Sequence, residues 1–174
     1  APALAAAYAL GRVGCFLVND DYGRPTSLPW GVRFPHGLPP STAANLHAQF
    51  GVPIPPGVPP DAVLAVHPTQ LYEVALMLGA FALLWSLRTR AKPVGWLFGI
   101  YLVLAGTERF LVEFVRAKDD RLLGPFTLAQ LTSVILVGIG AALVARWKSG
   151  PDLPPGAYLD RRVKAVPHES LTAA

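Results

Sequence analysis

From Phe126 to Ala145 the chain carries no charged residue at all. About 20 apolar residues, each rising 1.5 Å, cross the hydrocarbon core of a bilayer. No other stretch limits the fold as tightly, and it predicts a membrane-spanning helix. Three more segments reach a comparable length: Ala1 to Val18, Gln70 to Leu87 and Val94 to Val115. Composition agrees, because only 15% of the residues are charged, against about 25% in ordinary soluble domains. The expected fold class is all-α, a multi-span transmembrane helix bundle over residues 1–148. An irregular proline-rich extracytoplasmic arm at 19–68 and a cytoplasmic tail at 149–174 complete it. The chain opens on apolar residues with neither Met nor a charged leader, which reads as a start within a span and not as a signal peptide. Cys15 is the only cysteine, so no internal disulfide is expected. The net charge of +4 is modest and the basic residues are not interleaved with aromatics, so nucleic acid is not the expected partner.

Charge then gives orientation. The link after the second span carries Arg88, Arg90 and Lys92 without an acid, and the tail carries Arg146, Lys148, Arg161, Arg162 and Lys164. Basic flanks stay in the cytoplasm, so the arm and the 116–125 loop face outward. Arg12, Glu73, Arg109 and Glu113 then lie near the outer ends of their spans, and Thr127, Gln130 and Thr132 share that level. An arginine inside an apolar run is costly and marks a functional site when an anion is there to meet it. Gly11 and Gly14 flank Arg12 and let a helix or a headgroup come close to the backbone.

The arm holds eleven of the 18 prolines. That density excludes long helices and favours extended or turn backbone. Trp30, Val32 and Phe34 alternate, as in a short strand or an interfacial flap. A plain loop of this length is uncommon unless it serves as a lid or a binding arm.

Several residues carry two readings. Arg109, Glu113 and Arg116 stand at i, i+4 and i+7, so one helix face bears an ion ladder. Glu113 either pairs with Arg109 or Arg116 to orient the helix end, or supports chemistry at Arg109. Arg12 and Arg109 at one depth would repel unless an anion bridges them, and guanidinium forks suit phosphate oxygens. His67 opens the second span as a cap or as a proton-handling group. Glu73 pairs with a buried arginine or acts directly. Asp20 and Asp21 either stop the first helix or turn one carboxylate toward the arginines. Cys15, one turn beyond Arg12, offers a nucleophile, but packing as a small buried thiol is the favoured reading. Gly95 and Gly99 have the spacing of a close helix contact. No pattern of metal ligands occurs, and no metal site is expected.

The motifs resemble those of the prolipoprotein diacylglyceryl transferase family. They are Gly11-Arg12-x-Gly14-x-Phe16, then Asp20, Tyr22-Gly23-Arg24-Pro25-Thr26 and Pro29-Trp30-Gly31-Val32. His67-Pro68-Thr69-Gln70-Leu71-Tyr72-Glu73, Arg109-Phe110-x-x-Glu113-Phe114-x-Arg116 and the Leu128–Ser133 block follow in the same order. The resemblance implies a multi-pass bacterial inner-membrane enzyme whose active site faces the periplasm. Such an enzyme moves diacylglycerol from phosphatidylglycerol to the lipobox cysteine of a prolipoprotein signal peptide, without metal or organic cofactor. It implies catalytic roles for Arg109, Glu113, His67 and Asp20. It implies substrate binding by Arg12, Gly14, Gly23, Gln70, Tyr72, Glu73 and Gln130. Cys15, Asp20 and Ala105 depart from the family's Asn, Glu and Tyr, which leaves a non-catalytic phospholipid-binding membrane protein of the same fold as the alternative.

Overall fold

The computed structural model describes residues 1–89, 95–117, 121–123 and 126–146. The basic residues Arg90 and Lys92 of the link, most of the 118–125 loop and the tail at 149–174 lie outside the described residues. The described chain is mostly helical, running α1 (Pro2–Leu17), β1 (Val32–Arg33), α2 (Ala43–Phe50), β2 (Ala65–Val66), α3 (Thr69–Leu87), α4 (Trp96–Val112), β3 (Arg121–Leu123), β4 (Phe126–Thr127) and α5 (Leu128–Arg146). α3 and α5, at 19 residues each, are long and apolar enough to cross a membrane. α1 is apolar over 16 residues and α4 runs for 17.

The four long helices stand in a row, α1 beside α3, α3 beside α4 and α4 beside α5. Ala5 and Ala9 let α1 lie close against Met77, Ala80 and Leu84 of α3, with Ile100, Tyr101 and Leu104 of α4 closing that core. Between α4 and α5 the approach is closer still. A Cβ on Gly140 would sit 2.6 Å from the Gly99 carbonyl, and one on Gly106 would sit 2.8 Å from the Ser133 carbonyl. The glycine contact of α4 thus runs through Gly99 and Gly106. Gly95, expected to share it, instead caps the helix with φ 99°.

Two helix ends differ from expectation. α4 stops at Val112 and not Val115, because the arm claims the next backbone groups. The Arg24 N–H donates to the Val115 carbonyl at 2.8 Å, and Gly23 pairs with Arg116 as an antiparallel bridge. α5 starts at Leu128 because Phe126–Thr127 pairs with β3. Thr127 and Gln130 then cap it reciprocally: each backbone N–H donates to the other's side-chain oxygen at 3.2 Å. This Thr-x-x-Gln capping box satisfies donors that the first turn leaves open.

The arm is a correction to the irregular segment expected from its prolines. Between Pro40 and Pro53 it has none, and there α2 forms. Thr42 caps its start by accepting from the Asn45 N–H, and Gly51 closes it with φ 63°. Strand β1 pairs with β2, and the Gly23–Thr26 segment lies along the other side of residues 65–67. Tyr22, Phe34, Leu46, Val52 and Val66 make a core beneath this layer, with Tyr22 and Phe34 stacked at 5.3 Å. The Tyr22 hydroxyl donates to the Pro39 carbonyl at 2.6 Å, and burial with the Asp20 charge pushes its pKa up to about 12.

Candidate active site

The C-terminal ends of α1 and α4 and the N-terminal end of α3 meet under the arm, and their charged residues meet with them. Glu73, fully buried on α3, lies between two guanidiniums: Arg12 Nε contacts one carboxyl oxygen, and Arg109 stands 3.9 Å from the other. Arg12 also donates to Asp21 at 2.9 Å. Arg109 holds Glu113 at 2.9 Å, across one turn of α4. Arg116 reaches the second Asp21 oxygen at 2.6 Å. The bridging anion that two buried guanidiniums require is therefore carried by the chain itself. Arg12, Arg109 and Arg116 are matched by Asp21, Glu73 and Glu113 in one continuous network.

Local structure explains this convergence. Past α1 the chain turns back through Asn19 and Asp21, both at φ 61°, a conformation that Asn and Asp tolerate better than most residues. Two fully buried side chains at the start of α3 hold the turn. Thr69 Oγ1 donates to the Asp21 carbonyl at 2.7 Å, and Gln70 Nε2 donates to the Asp20 carbonyl. The turn aims Asp21 inward, whereas the Asp20 carboxylate accepts from the Asp21 N–H at 2.7 Å. Burial alone would raise the Asp21 carboxyl. The Arg12 hydrogen bond and the charges of Arg116, Arg12 and Arg109 outweigh it and hold the carboxyl below the usual carboxylate range.

His67 lies at the rim, where its Nδ1 is 3.1 Å from the Tyr72 hydroxyl. That hydroxyl accepts from Trp30 Nε1 at 2.8 Å, which ties the arm to α3. Burial lowers the His67 pKa and favours the neutral ring. Gly23 is a crossing point, since a Cβ there would lie 2.5 Å from the Val115 carbonyl and 2.7 Å from His67 Cβ. Gly14 lies on the exposed side of α1 with nothing within 4 Å of a Cβ position. Gln130 is occupied with the α5 cap and, among the described residues, makes no hydrogen bond to the ion network.

So Arg12, Glu73, Arg109 and Glu113 come together, Gln70 grips the turn before Asp21, His67 and Tyr72 pair with each other, and Gly14 and Gln130 stand apart. The carboxylate that meets the arginines is Asp21 and not Asp20. Arg116 leaves the ladder of α4 to join it, which resolves the pairing of Glu113 in favour of Arg109. Glu108, 5% exposed on α4, is a further buried acid at this level. Its signal in the sequence was a charge inside an apolar helix, hidden beside Arg109.

Cavities open on both sides of the network. One of about 280 Å³ lies under the arm, lined by Asp20, Asp21, Tyr22, Phe50 and Arg116 among others. Another of about 230 Å³ lies between α3 and α4, with mostly aliphatic walls.

Braced guanidiniums beneath a folded arm, at one end of a row of apolar helices, define a helical protein of membrane type with an ionic centre. The chain belongs to the prolipoprotein diacylglyceryl transferase family, whose sequence pattern matches residues 1–146. It is similar to the phosphatidylglycerol–prolipoprotein diacylglyceryl transferase of Geobacter sulfurreducens, with 37% identity over 158 residues, 87% of this chain and 52% of that protein. The protein of the same name from Xanthomonas oryzae pv. oryzae is 35% identical over 160 residues, 89% of this chain and 53% of its own length. The chain spans about half the length of the curated relatives it matches.

Proposed function

We propose that this chain carries the arginine centre of an enzyme that transfers diacylglycerol from phosphatidylglycerol to the lipobox cysteine of a prolipoprotein signal peptide. The observation that carries the reading is Glu73 shared by Arg12 and Arg109, which fixes two guanidiniums side by side. The four long helices serve as spans of a bacterial inner membrane. The arm and the ionic centre lie on the periplasmic side, and the 88–92 link lies in the cytoplasm.

The reaction forms a thioether. The cysteine sulfur, as thiolate, attacks the C3 carbon of the glyceryl unit. The C–O bond to phosphate breaks with its electron pair, and glycerol 1-phosphate leaves. Negative charge grows on the departing phosphate, so fixed donors aimed there lower the barrier. Arg109, more exposed than Arg12 at 24% against 12% of the side chain, is the group that meets it. Arg12 holds the headgroup. Glu73 and Glu113 keep both forks in place before substrate arrives, so little reorganisation accompanies the reaction. His67, Tyr72 and Gln70 shape the rim, and Asp20 borders the cavity under the arm.

The test uses the full-length enzyme, vesicles containing phosphatidylglycerol and a lipobox peptide, with thioether product read by mass. Arg109→Lys keeps the charge and loses the fork. Its turnover should fall by about 10²–10³ with an unchanged melting temperature. Turnover at the wild-type level would remove Arg109 from the chemistry.

A further inference from the structure

Within the ion network every arginine has an acid and every acid an arginine. Glu108 stands outside this pairing. Neither of its carboxyl oxygens has a hydrogen-bond partner among the described residues. Its neighbour Arg109 is turned to Glu73 and Glu113. Successive residues of a helix point about 100° apart, so Glu108 and Arg109 serve different faces. Glu108 lines the cavity between α3 and α4, with Leu76, Met77, Ala80, Leu104 and Leu111. Apart from Thr107 beside it, the rest of that wall is apolar. The charges near enough for it to feel are Glu73 on α3, Arg109 on α4, Arg12 on α1 and Arg116, and Tyr8 of α1 feels its charge in turn.

A buried acid with no donor aimed at it is costly to keep. What satisfies it is an incoming proton. The other acids of the network, Asp21, Glu73 and Glu113, each already face at least one guanidinium. Resting on the transfer reaction proposed above, we propose that Glu108 is the general base that deprotonates the acceptor thiol. The S–H proton passes to a Glu108 carboxyl oxygen and the sulfur bonds to the glyceryl C3. The C3–O bond breaks toward the phosphate, whose growing charge Arg109 meets from the adjacent position of α4. One turn of helix thus presents the base to the nucleophile and the cation to the leaving group.

The experiment measures thioether formation by the full-length enzyme across pH. Glu108→Gln should lower kcat by about 10²–10⁴ while the KM for phosphatidylglycerol stays within about twofold of wild type. Its residual rate should climb with pH as solvent supplies thiolate, and the wild-type acid limb should disappear. Glu108→Asp should keep that limb and part of the rate. Removing an unpartnered buried acid should leave the melting temperature of Glu108→Gln at or above wild type, whereas a structural prop would lower it. An unchanged rate and pH profile in Glu108→Gln, or a loss confined to KM, overturns the role of Glu108 alone. A wild-type enzyme that makes no thioether overturns the transfer reaction, and this role with it.

Discussion

α4 turns two faces to its neighbours, and they are built on opposite terms. Toward α5 it offers Gly99 and Gly106, and backbone meets backbone. Toward α3 and α1, at its C-terminal end, it offers Glu108, Arg109 and Glu113. In a lipid environment close packing of small residues is enough to join helices. The glycine face supplies such a join, so buried ions are not needed to hold this helix in the row. Replacing a buried ion pair by apolar residues is often neutral or stabilising, whereas breaking one strands its partner. The charged face is thus the costlier of the two to break open.

That contrast can be broken experimentally, beginning with the largest effect. Arg12→Ala leaves Glu73 and Asp21 without the cation they share. It should cost about 3–5 kcal/mol, read as a fall in melting temperature in detergent, and end thioether formation. Wild-type melting would mean that the ion face carries no strain when opened. Gly140→Val drives a side chain into the Gly99 carbonyl. Overpacking of about 1–3 kcal/mol is expected, while the turnover of the folded fraction stays at the wild-type level. A loss of turnover without a loss of stability would show that the glycine face also serves the chemistry.

The smallest effect separates the faces by pH. The Asp21 carboxyl is held low in the folded chain, so its contribution is complete above an ordinary carboxylate value of about 3.9. It is lost as pH falls through the lower folded value. Wild type should therefore lose stability in that acid window, and Asp21→Asn should lose less of it. The Gly140→Val deficit should be the same at every pH, as melting curves taken down to the acid limit would reveal.

The sequence was most legible where spacing along one helix decides contact. Arg109 and Glu113, one turn apart, pair as expected, and the long apolar helices fall close to their expected bounds. It was least legible where distant segments decide. Arg116 leaves the helical ladder only because Gly23 and Arg24, some ninety residues earlier, take over the backbone at Val115–Arg116. Asp20 and Asp21 are chemically alike, and only the grip of Thr69 and Gln70 on their turn selects the second. α2 was within reach of local reading: Thr42, Asn45 and Gly51 mark its ends, but averaging proline over the whole arm obscured the gap between Pro40 and Pro53. Gln130 was likewise readable as the partner of Thr127 in a cap.

The partners of Arg12 also differ in when they exist. For a chain that enters a bilayer as it is made, Asp21, nine positions after Arg12 and hydrogen-bonded to it, follows it almost at once. Glu73 comes only with α3, and Arg109 and Arg116 later still. An arginine held at depth costs about 2.5–3.5 kcal/mol on insertion scales. The turn at Asn19–Asp21 gives the nascent helix a local counter-ion through that interval, before the long-range one is synthesised.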